Sequence, residues 1–317
     1  MKIKKALLFV PPALTFKNNL DVNPVPPLGL GYIAAVLQQK GIEVKIFDCL
    51  MQGWDRRERI HDNLIKIGSS SEDIRKEISS FGPDLVGINC LFTRQRESAH
   101  SIVRIAKELN PSIITVMGGA HPTVLPELVL SDKNVDFVVL GEGEQIITEL
   151  IEALENGRDL AVIDGIGFRK DGKVCLNKRH NFIENIDEIA FPARELFSMD
   201  KYFDLGISHG RRRKRRFSPI VTSRGCPAGC VFCTAHHVWG RKYRVRSVEN
   251  VISEMRQLKE KFNIEELIFE DDNVTLDIRR AEQLFDSMIR EKFNFAWDTP
   301  NGVAAFALNE KLIDKMK

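Results

Sequence analysis

The chain has 317 residues, of which 43% are hydrophobic and 28% charged, long enough for two domains and balanced as a globular protein rather than a disordered or membrane-embedded one. The formal net charge of +2 argues against general affinity for nucleic acid, and no apolar run reaches the roughly 18 residues that cross a bilayer. Of the six cysteines, Cys49, Cys90 and Cys175 are scattered singly and Cys226, Cys230 and Cys233 crowd together, which is no disulfide framework and points to a reducing compartment, the cytoplasm.

The basic-then-apolar start superficially resembles a signal peptide, but Pro11 and Pro12 interrupt it and no small-residue cleavage pattern follows. KKALLFV reads as a first buried strand stopped by those prolines. PPLGLGYIAAVLQQKG opens on proline, closes on Gly41 and repeats Leu30, Ile33, Ala34 and Leu37 at helical spacing, so it predicts a helix. EVKIFDCL is a second strand. A charged, weakly periodic stretch follows, with IRKEISSFG as a helix. PDLVGINCLF, SIITVMGG and VDFVVLGEGE are three further strands, alternating with the helices SAHSIVRIAKELNP, PTVLPELVL and QIITELIEALENG. Apolar strands alternating with helices predict an α/β chain with a doubly wound parallel sheet. Ligands bind such sheets beyond the carboxyl ends of the strands. Asp48, Asn89, Gly118, Gly119, His121, Gly141, Glu142, Gly143 and Glu144 sit at those ends. Glycines there let a large ligand approach the backbone, and each by itself is also an ordinary turn glycine.

PPLGLGYIAAVL, the double glycine of MGGAHPT and the LGEGE turn resemble the Rossmann-like cobalamin-binding domain that precedes many radical S-adenosylmethionine (SAM) cores. The resemblance covers residues 1–150. It implies a cobalamin site formed by Asp48, Asn89, Gly118, Gly119, His121, Gly141, Glu142 and Gly143. Cobalamin modules that ligate cobalt through histidine carry D-x-H-x-x-G after the second strand. Here the hexapeptide is Asp48-Cys49-Leu50-Met51-Gln52-Gly53, and leucine has no donor atom for cobalt. His121 is expected as a hydrogen-bonding turn residue rather than a ligand, and Cys49 as a small buried residue.

Residues 151–210 read as a connector containing a β-hairpin, DGIGFRKDGKVCLN, with Asp171-Gly172 at its turn and Cys175 as packing on its second arm. The run Arg211–Arg216 has three readings: a nucleic-acid or anionic-membrane contact, a contact to an acidic or phosphorylated substrate, or a solvated loop before the strand FSPIVTS. The absence of aromatic interleaving favours the loop.

Next comes SRGCPAGCVFC, which sets Cys226, Cys230 and Cys233 in a C-x3-C-x2-C run behind a strand and a glycine turn. Three thiolates on one short loop make a metal site. A structural zinc site wants four protein ligands, for which His236 and His237 are candidates. Three cysteines can instead hold a four-iron cubane and leave one iron open. The spacing, with Phe232 before the last cysteine, resembles the radical SAM signature. That resemblance implies a [4Fe-4S] cluster on the three cysteines, SAM as co-substrate, and SAM contacts from Phe232 and from the end of the second strand, EELIFEDDN, where Glu270, Asp271 and Asp272 stand and none is singled out. SVENVISEMRQLKEKFN, with Ser247 as N-cap candidate, and RRAEQLFDSMIREK are the flanking helices. FAWDTPNGV is a third strand, and LNEKLIDKMK begins a third helix.

Residues 211–317 thus read as the N-terminal half of a radical SAM core, a partial βα barrel that looks truncated: a fragment, a shortened product, or a chain whose barrel a second polypeptide completes. Together the resemblances imply a cobalamin-dependent radical SAM enzyme. Reduction would cleave SAM to a 5′-deoxyadenosyl radical, with methyl transfer to an unactivated carbon or phosphorus as the outcome. Oxidative cyclisation or rearrangement is the alternative within the class. A non-catalytic cobalamin- or cluster-binding subunit and a nucleic-acid-binding metal protein are the alternatives outside it. The expected partners are a small-molecule substrate and an electron donor such as flavodoxin or ferredoxin, with no membrane and no nucleic acid.

Overall fold

A computed structural model describes residues 2–18 and 22–317. The chain divides into two compact units, one of Met1–Ile183 with Ala190–Phe197 and one of Glu184–Ile189 with Ser198–Lys317.

The first unit contains strands β1 (Lys5–Val10), β2 (Ala13–Phe16), β3 (Glu43–Asp48), β4 (Arg57–His61), β5 (Leu64–Ile67), β6 (Leu85–Asn89), β7 (Ile114–Gly118), β8 (Phe137–Val139), β9 (Ile166–Lys170) and β10 (Lys173–Leu176). Its helices are α1 (Leu28–Gln39), α2 (Cys49–Gln52), α3 (Ser71–Phe81), α4 (Arg96–Leu109), α5 (Ala120–Val124), α6 (Pro126–Leu130) and α7 (Gly143–Asn156). The main sheet has the order β10-β9-β8-β7-β6-β1-β3. From β3 to β8 it is parallel, and the hairpin β9–β10 extends it antiparallel. The parallel part has flavodoxin-like order, which reverses between β1 and β6 and opens a crevice there.

Side chains alternate across the strands, as the period of two demands. Leu8 joins α1 and α7 (Leu30, Leu37, Ile146, Leu150) on one face. Leu7 and Phe9 join α3 and α4 (Ile74, Ile78, Ile102, Val103) on the other. Helix α3 starts on a capping box, with the Ser70 hydroxyl accepting from the Asp73 N–H and the Asp73 carboxylate accepting from the Ser70 N–H, and it ends on Gly82 at φ 62°.

Some expectations for this unit change. The strand EVKIFDCL stops at Asp48, because the carboxylate of Asp48 accepts from the Met51 N–H (3.0 Å) and turns the chain into α2. The charged stretch beyond it contains more than a helix. Strands β4 and β5 pair, and β5 also pairs with β2, in a small antiparallel sheet. Every residue of β4 is exposed, so no hydrophobic alternation announces it.

The second unit contains α8 (Met199–Leu205), β11 (Phe217–Ile220), β12 (Ser223–Arg224), α9 (Ala235–Trp239), β13 (Arg244–Val245), α10 (Val248–Phe262), β14 (Glu266–Phe269), α11 (Ile278–Arg290), β15 (Ala296–Asp298) and α12 (Glu310–Met316). Strands β11, β14 and β15 form a parallel sheet in that order, and β12 pairs antiparallel with β13. The predicted strand FSPIVTS is therefore two elements, broken after Ile220. Helix α10 carries the expected cap, Ser247 accepting from the Asn250 N–H (3.2 Å). No helix among the described residues is long and apolar enough to cross a membrane.

Candidate functional site

In the second unit the cluster-like loop has a fixed root. After β11 the backbone N–H of Thr222 donates to both carboxylate oxygens of Asp271 (3.1 and 3.0 Å), the Thr222 hydroxyl donates to the same carboxylate at 2.7 Å, and the Ser223 hydroxyl also donates to it. Arg280, buried on α11, donates from Nη2 to the Thr222 carbonyl and from Nε to the Arg246 carbonyl, both at 3.0 Å. Burial pushes the Asp271 carboxyl up against the pull of these donors, and burial lowers Arg280. The turn leaving β11 is thus tied to the end of β14 and the start of α11. The sequence does not announce Thr222 or Arg280, because their partners lie dozens of residues away and form no linear motif.

From that root rise Cys226, Cys230 and Cys233. None is in a disulfide; Cys230 is exposed and the other two are half-buried. The Cys233 N–H donates to the Cys230 carbonyl (3.1 Å), and the Ala235 N–H to the Cys233 Sγ (3.4 Å). Phe232 projects, 87% exposed. His236 and His237 stack with ring centres 4.2 Å apart. Among the described residues no group of three or more His, Cys, Asp or Glu side chains is arranged to hold a metal ion. The loop brings the three thiols into one stretch without closing them around a centre. Three free, accessible thiols within eight residues are nonetheless the donor chemistry of a thiolate-held iron–sulfur cluster, and to that extent they fit one.

The three neighbouring acids at the end of β14 have different surroundings. The Glu270 Oε2 lies 2.9 Å from the His209 Nδ1, and this bond raises the imidazole above its ordinary value. Asp271 is committed to Thr222 and Ser223. Asp272 is half-buried and has no hydrogen-bond or ion-pair partner among the described residues. Burial first, and then the charge of Asp271, raise its carboxyl.

The basic run is an exposed loop from Arg211 to Arg215, tied down through its backbone and some of its side chains. The N–H groups of Arg213 and Lys214 donate to the buried Glu266 carboxylate, the Arg211 N–H to Asp298, and the Arg213 and Arg212 guanidinium groups to the Trp297 and Phe203 carbonyls. Arg215 pairs with Asp204, and Arg216 donates to the Phe262 carbonyl.

In the first unit, Asp48, Asn89, Gly118, Gly119, His121, Gly141, Glu142 and Gly143 all lie along the carboxyl edge of one parallel sheet. That edge is about 19 Å wide from β3 to β8 at ordinary strand spacing. Asp48 caps α2. The two central glycines differ: a Cβ on Gly118 meets nothing within 4 Å, whereas one on Gly119 (φ +103°) would press on the Asn89 Oδ1 at 2.7 Å and the Cys90 carbonyl at 2.8 Å. Gly141 (φ 72°) donates its N–H to the Thr123 hydroxyl (2.9 Å). Gly143 opens α7 against Ile33. Glu142, 1% exposed, accepts from Arg179 (3.1 Å) and from the Ile183 N–H (3.0 Å), and so fastens that segment.

His121 is 3% exposed. Its Nδ1 meets the Thr93 hydroxyl at 3.1 Å, while its Nε2 is buried without a hydrogen-bond partner. Burial, then His100 and Arg96, lower its pKa. Leu50 is buried in a satellite cluster with Ala13, Val22, Ile65 and Ile67, and Trp54 packs against it. The leucine therefore serves the small antiparallel sheet. Gly53 of the same hexapeptide is needed because a Cβ there would strike the Gly68 backbone. Leu50 and His121 follow β3 and β7, three strand spacings or about 14 Å apart. An orphaned buried ring nitrogen and an open glycine on one sheet edge fit a ligand laid along it. Cys49 and Cys90 are buried thiols, the first raised well above its ordinary value and the second pushed up to about 12, by burial foremost in both.

Comparison with known proteins gives two family matches, a B12 binding domain over residues 22–151 and the radical SAM superfamily over residues 220–317. Cytidylyl-2-hydroxyethylphosphonate methyltransferase of Streptomyces wedmorensis is 35% identical over 339 residues, covering 99% of this chain and 63% of that protein. An uncharacterized methyltransferase of Pyrococcus horikoshii is 36% identical over 318 residues, covering 100% of this chain and 63% of that protein. The anaerobic magnesium-protoporphyrin IX monomethyl ester cyclase of Rubrivivax gelatinosus is 28% identical over 293 residues, 91% of this chain and 49% of that one. The chain thus spans less than two thirds of the length of these relatives. Among solved structures, the radical SAM methyltransferase TsrM of Kitasatospora setae with cobalamin and [4Fe-4S] cluster bound has a TM-score of 0.66 at 20% identity, covering 99% of this chain and 53% of that one.

Proposed function

We propose, on the premise that this chain belongs to the B12-binding radical SAM family, that its activity is cobalamin-dependent methyl transfer to an unactivated carbon or to phosphorus of a small molecule. The observation that carries this reading is the C-x3-C-x2-C loop of free thiols rising from the end of a parallel strand. When bound, the cluster with SAM supplies radical chemistry and cobalamin supplies the methyl group, which leaves binding and orientation to the protein.

Cys226, Cys230 and Cys233 would hold the cluster through their thiolates, with SAM bound beside it. Phe232 offers SAM an apolar surface. Of the three acids, Asp272 takes its ammonium, since Glu270 faces His209 and Asp271 faces Thr222 and Ser223; a charge-assisted bond of this kind is the strong sort. In the first unit Gly118, Gly119, Gly141 and Gly143 let cobalamin approach the sheet edge, Asp48 and Asn89 border it, the His121 Nε2 offers it a polar contact, and Glu142 braces the wall beside it. Leu50 leaves cobalt without an imidazole from that position. The free thiols suit a reducing compartment, the cytoplasm, and reductive cleavage of SAM would draw on an electron donor such as flavodoxin or ferredoxin.

A second reading, oxidative cyclisation or rearrangement without methyl transfer, is favoured by the likeness to the cyclase. Anaerobic reconstitution with iron, sulfide and cobalamin, followed by spectra and a SAM-cleavage assay, tests both. Methylated product supports the first, and 5′-deoxyadenosine without methylation the second. A loaded chain that never cleaves SAM overturns both and leaves a binding subunit.

A further inference from the structure

The cluster loop is closed by more than its root. Strand β12 has two residues and pairs with only two of β13, Ser223 with Val245 and Arg224 with Arg244; a ribbon that short is not stable by itself. What lies between carries the three cysteines and α9, and its far end is Trp239. The Arg224 guanidinium sits over the Trp239 ring, 5.0 Å from its centre. Arg244 donates from Nη2 to the Trp239 carbonyl at 2.7 Å. Both arginines are nearly inaccessible, 5% and 4% exposed, and a cation over a ring gains strength when desolvated. Gly225, at φ +87°, lies so close to the Lys242 carbonyl that a Cβ would collide with it.

We propose that Trp239 is the positioning residue of the cluster loop. Arg224, on the strand that opens the loop, covers its ring, and Arg244, on the strand that closes it, donates to its carbonyl; the ring contact ties the end of α9 back to the root. The cysteines are then presented from a closed loop rather than a free one. This rests on the reading that Cys226, Cys230 and Cys233 hold an iron–sulfur cluster. Closure narrows the range of positions open to the three thiols before ligation, in the manner of a preorganised site.

The test uses the full chain, reconstituted anaerobically, as wild type, Trp239→Ala, Trp239→Leu and Trp239→Phe. Iron loss to a chelator and the electron paramagnetic resonance spectrum of the reduced cluster are read, with cobalamin absorption as a control for the first unit. Trp239→Ala and Trp239→Leu should lose iron about 10–100-fold faster, the range for residues that support metal ligands, with cobalamin binding unchanged. Trp239→Phe, which keeps a ring under Arg224, should restore slow loss and the wild-type spectrum. Wild-type iron retention in Trp239→Ala overturns the proposal and leaves the cluster reading standing. Should the alanine variant fail to fold, a leucine variant matching phenylalanine overturns it equally. A wild-type chain that takes up no iron overturns the cluster reading, and the proposal with it.

Discussion

Adjacent aspartates should fail in opposite ways. Replacing Asp271 by alanine strips the acceptor from the Thr222 N–H, the Thr222 hydroxyl and the Ser223 hydroxyl at once. It also removes the carboxylate linked to the buried Arg280 through the Thr222 hydroxyl, which lies 2.7 Å from Asp271 and 3.4 Å from the Arg280 Nη1. Each orphaned buried donor costs about 1–3 kcal/mol, and because the three share one acceptor the costs do not add. We take the upper end of that range, about 3 kcal/mol, as the expected loss. Hydrogen exchange in peptides spanning β11 and β14 reads it locally, and such a loss speeds exchange by about two orders of magnitude. Asp272→Ala removes a carboxylate that has no hydrogen-bond or ion-pair partner among the described residues, so exchange there should stay within about 0.5 kcal/mol of wild type, while SAM binding to the reconstituted chain weakens. If Asp271→Ala exchanges as slowly as wild type, or if Asp272→Ala is the variant that destabilises β14, the assignment of roles to these acids is wrong.

Replacing Cys226, Cys230 and Cys233 together by alanine should abolish the cluster absorption and leave cobalamin binding intact; simultaneous loss of both would contradict two separately folded units. Gly119→Ala should destabilise the first unit by about 1–3 kcal/mol, because φ is positive and the Cβ meets the Asn89 side chain and the Cys90 carbonyl. Gly118→Ala should unfold like wild type yet bind cobalamin more weakly, and a thermal melt with a cobalamin titration separates the two. His209 has a pKa raised above its ordinary 6.5, chiefly by Glu270. Its contribution to stability is therefore complete below about pH 6.5 and is lost as pH rises through the raised value. The stability difference between wild type and His209→Gln should shrink from pH 5.5 to 8.5, and a difference that does not change with pH would refute it.

Residue spacing alone determined a great deal of this protein. The alternation of apolar strands and periodic helices specified the parallel sheet, and the glycines and polar residues at strand ends fell on its carboxyl edge. The cysteine spacing singled out the loop. These features are local, and each element carries its own pattern. Strand β4 escaped because all its residues are exposed, and the break in FSPIVTS escaped because it depends on an acceptor, Asp271, just beyond β14. Only the tertiary structure separated Glu270, Asp271 and Asp272, which are near-equivalent in the chain: the fold brings His209 to the first and Thr222 and Ser223 to the second, and leaves the third without a hydrogen-bond or ion-pair partner among the described residues. It also decided that Leu50 packs beneath a small sheet, that the backbone of Arg213 and Lys214 is held by Glu266, and that Arg224 and Arg244 meet at Trp239. A hydrogen-bonding side chain has no period, so its partner is chosen by where the backbone returns in space.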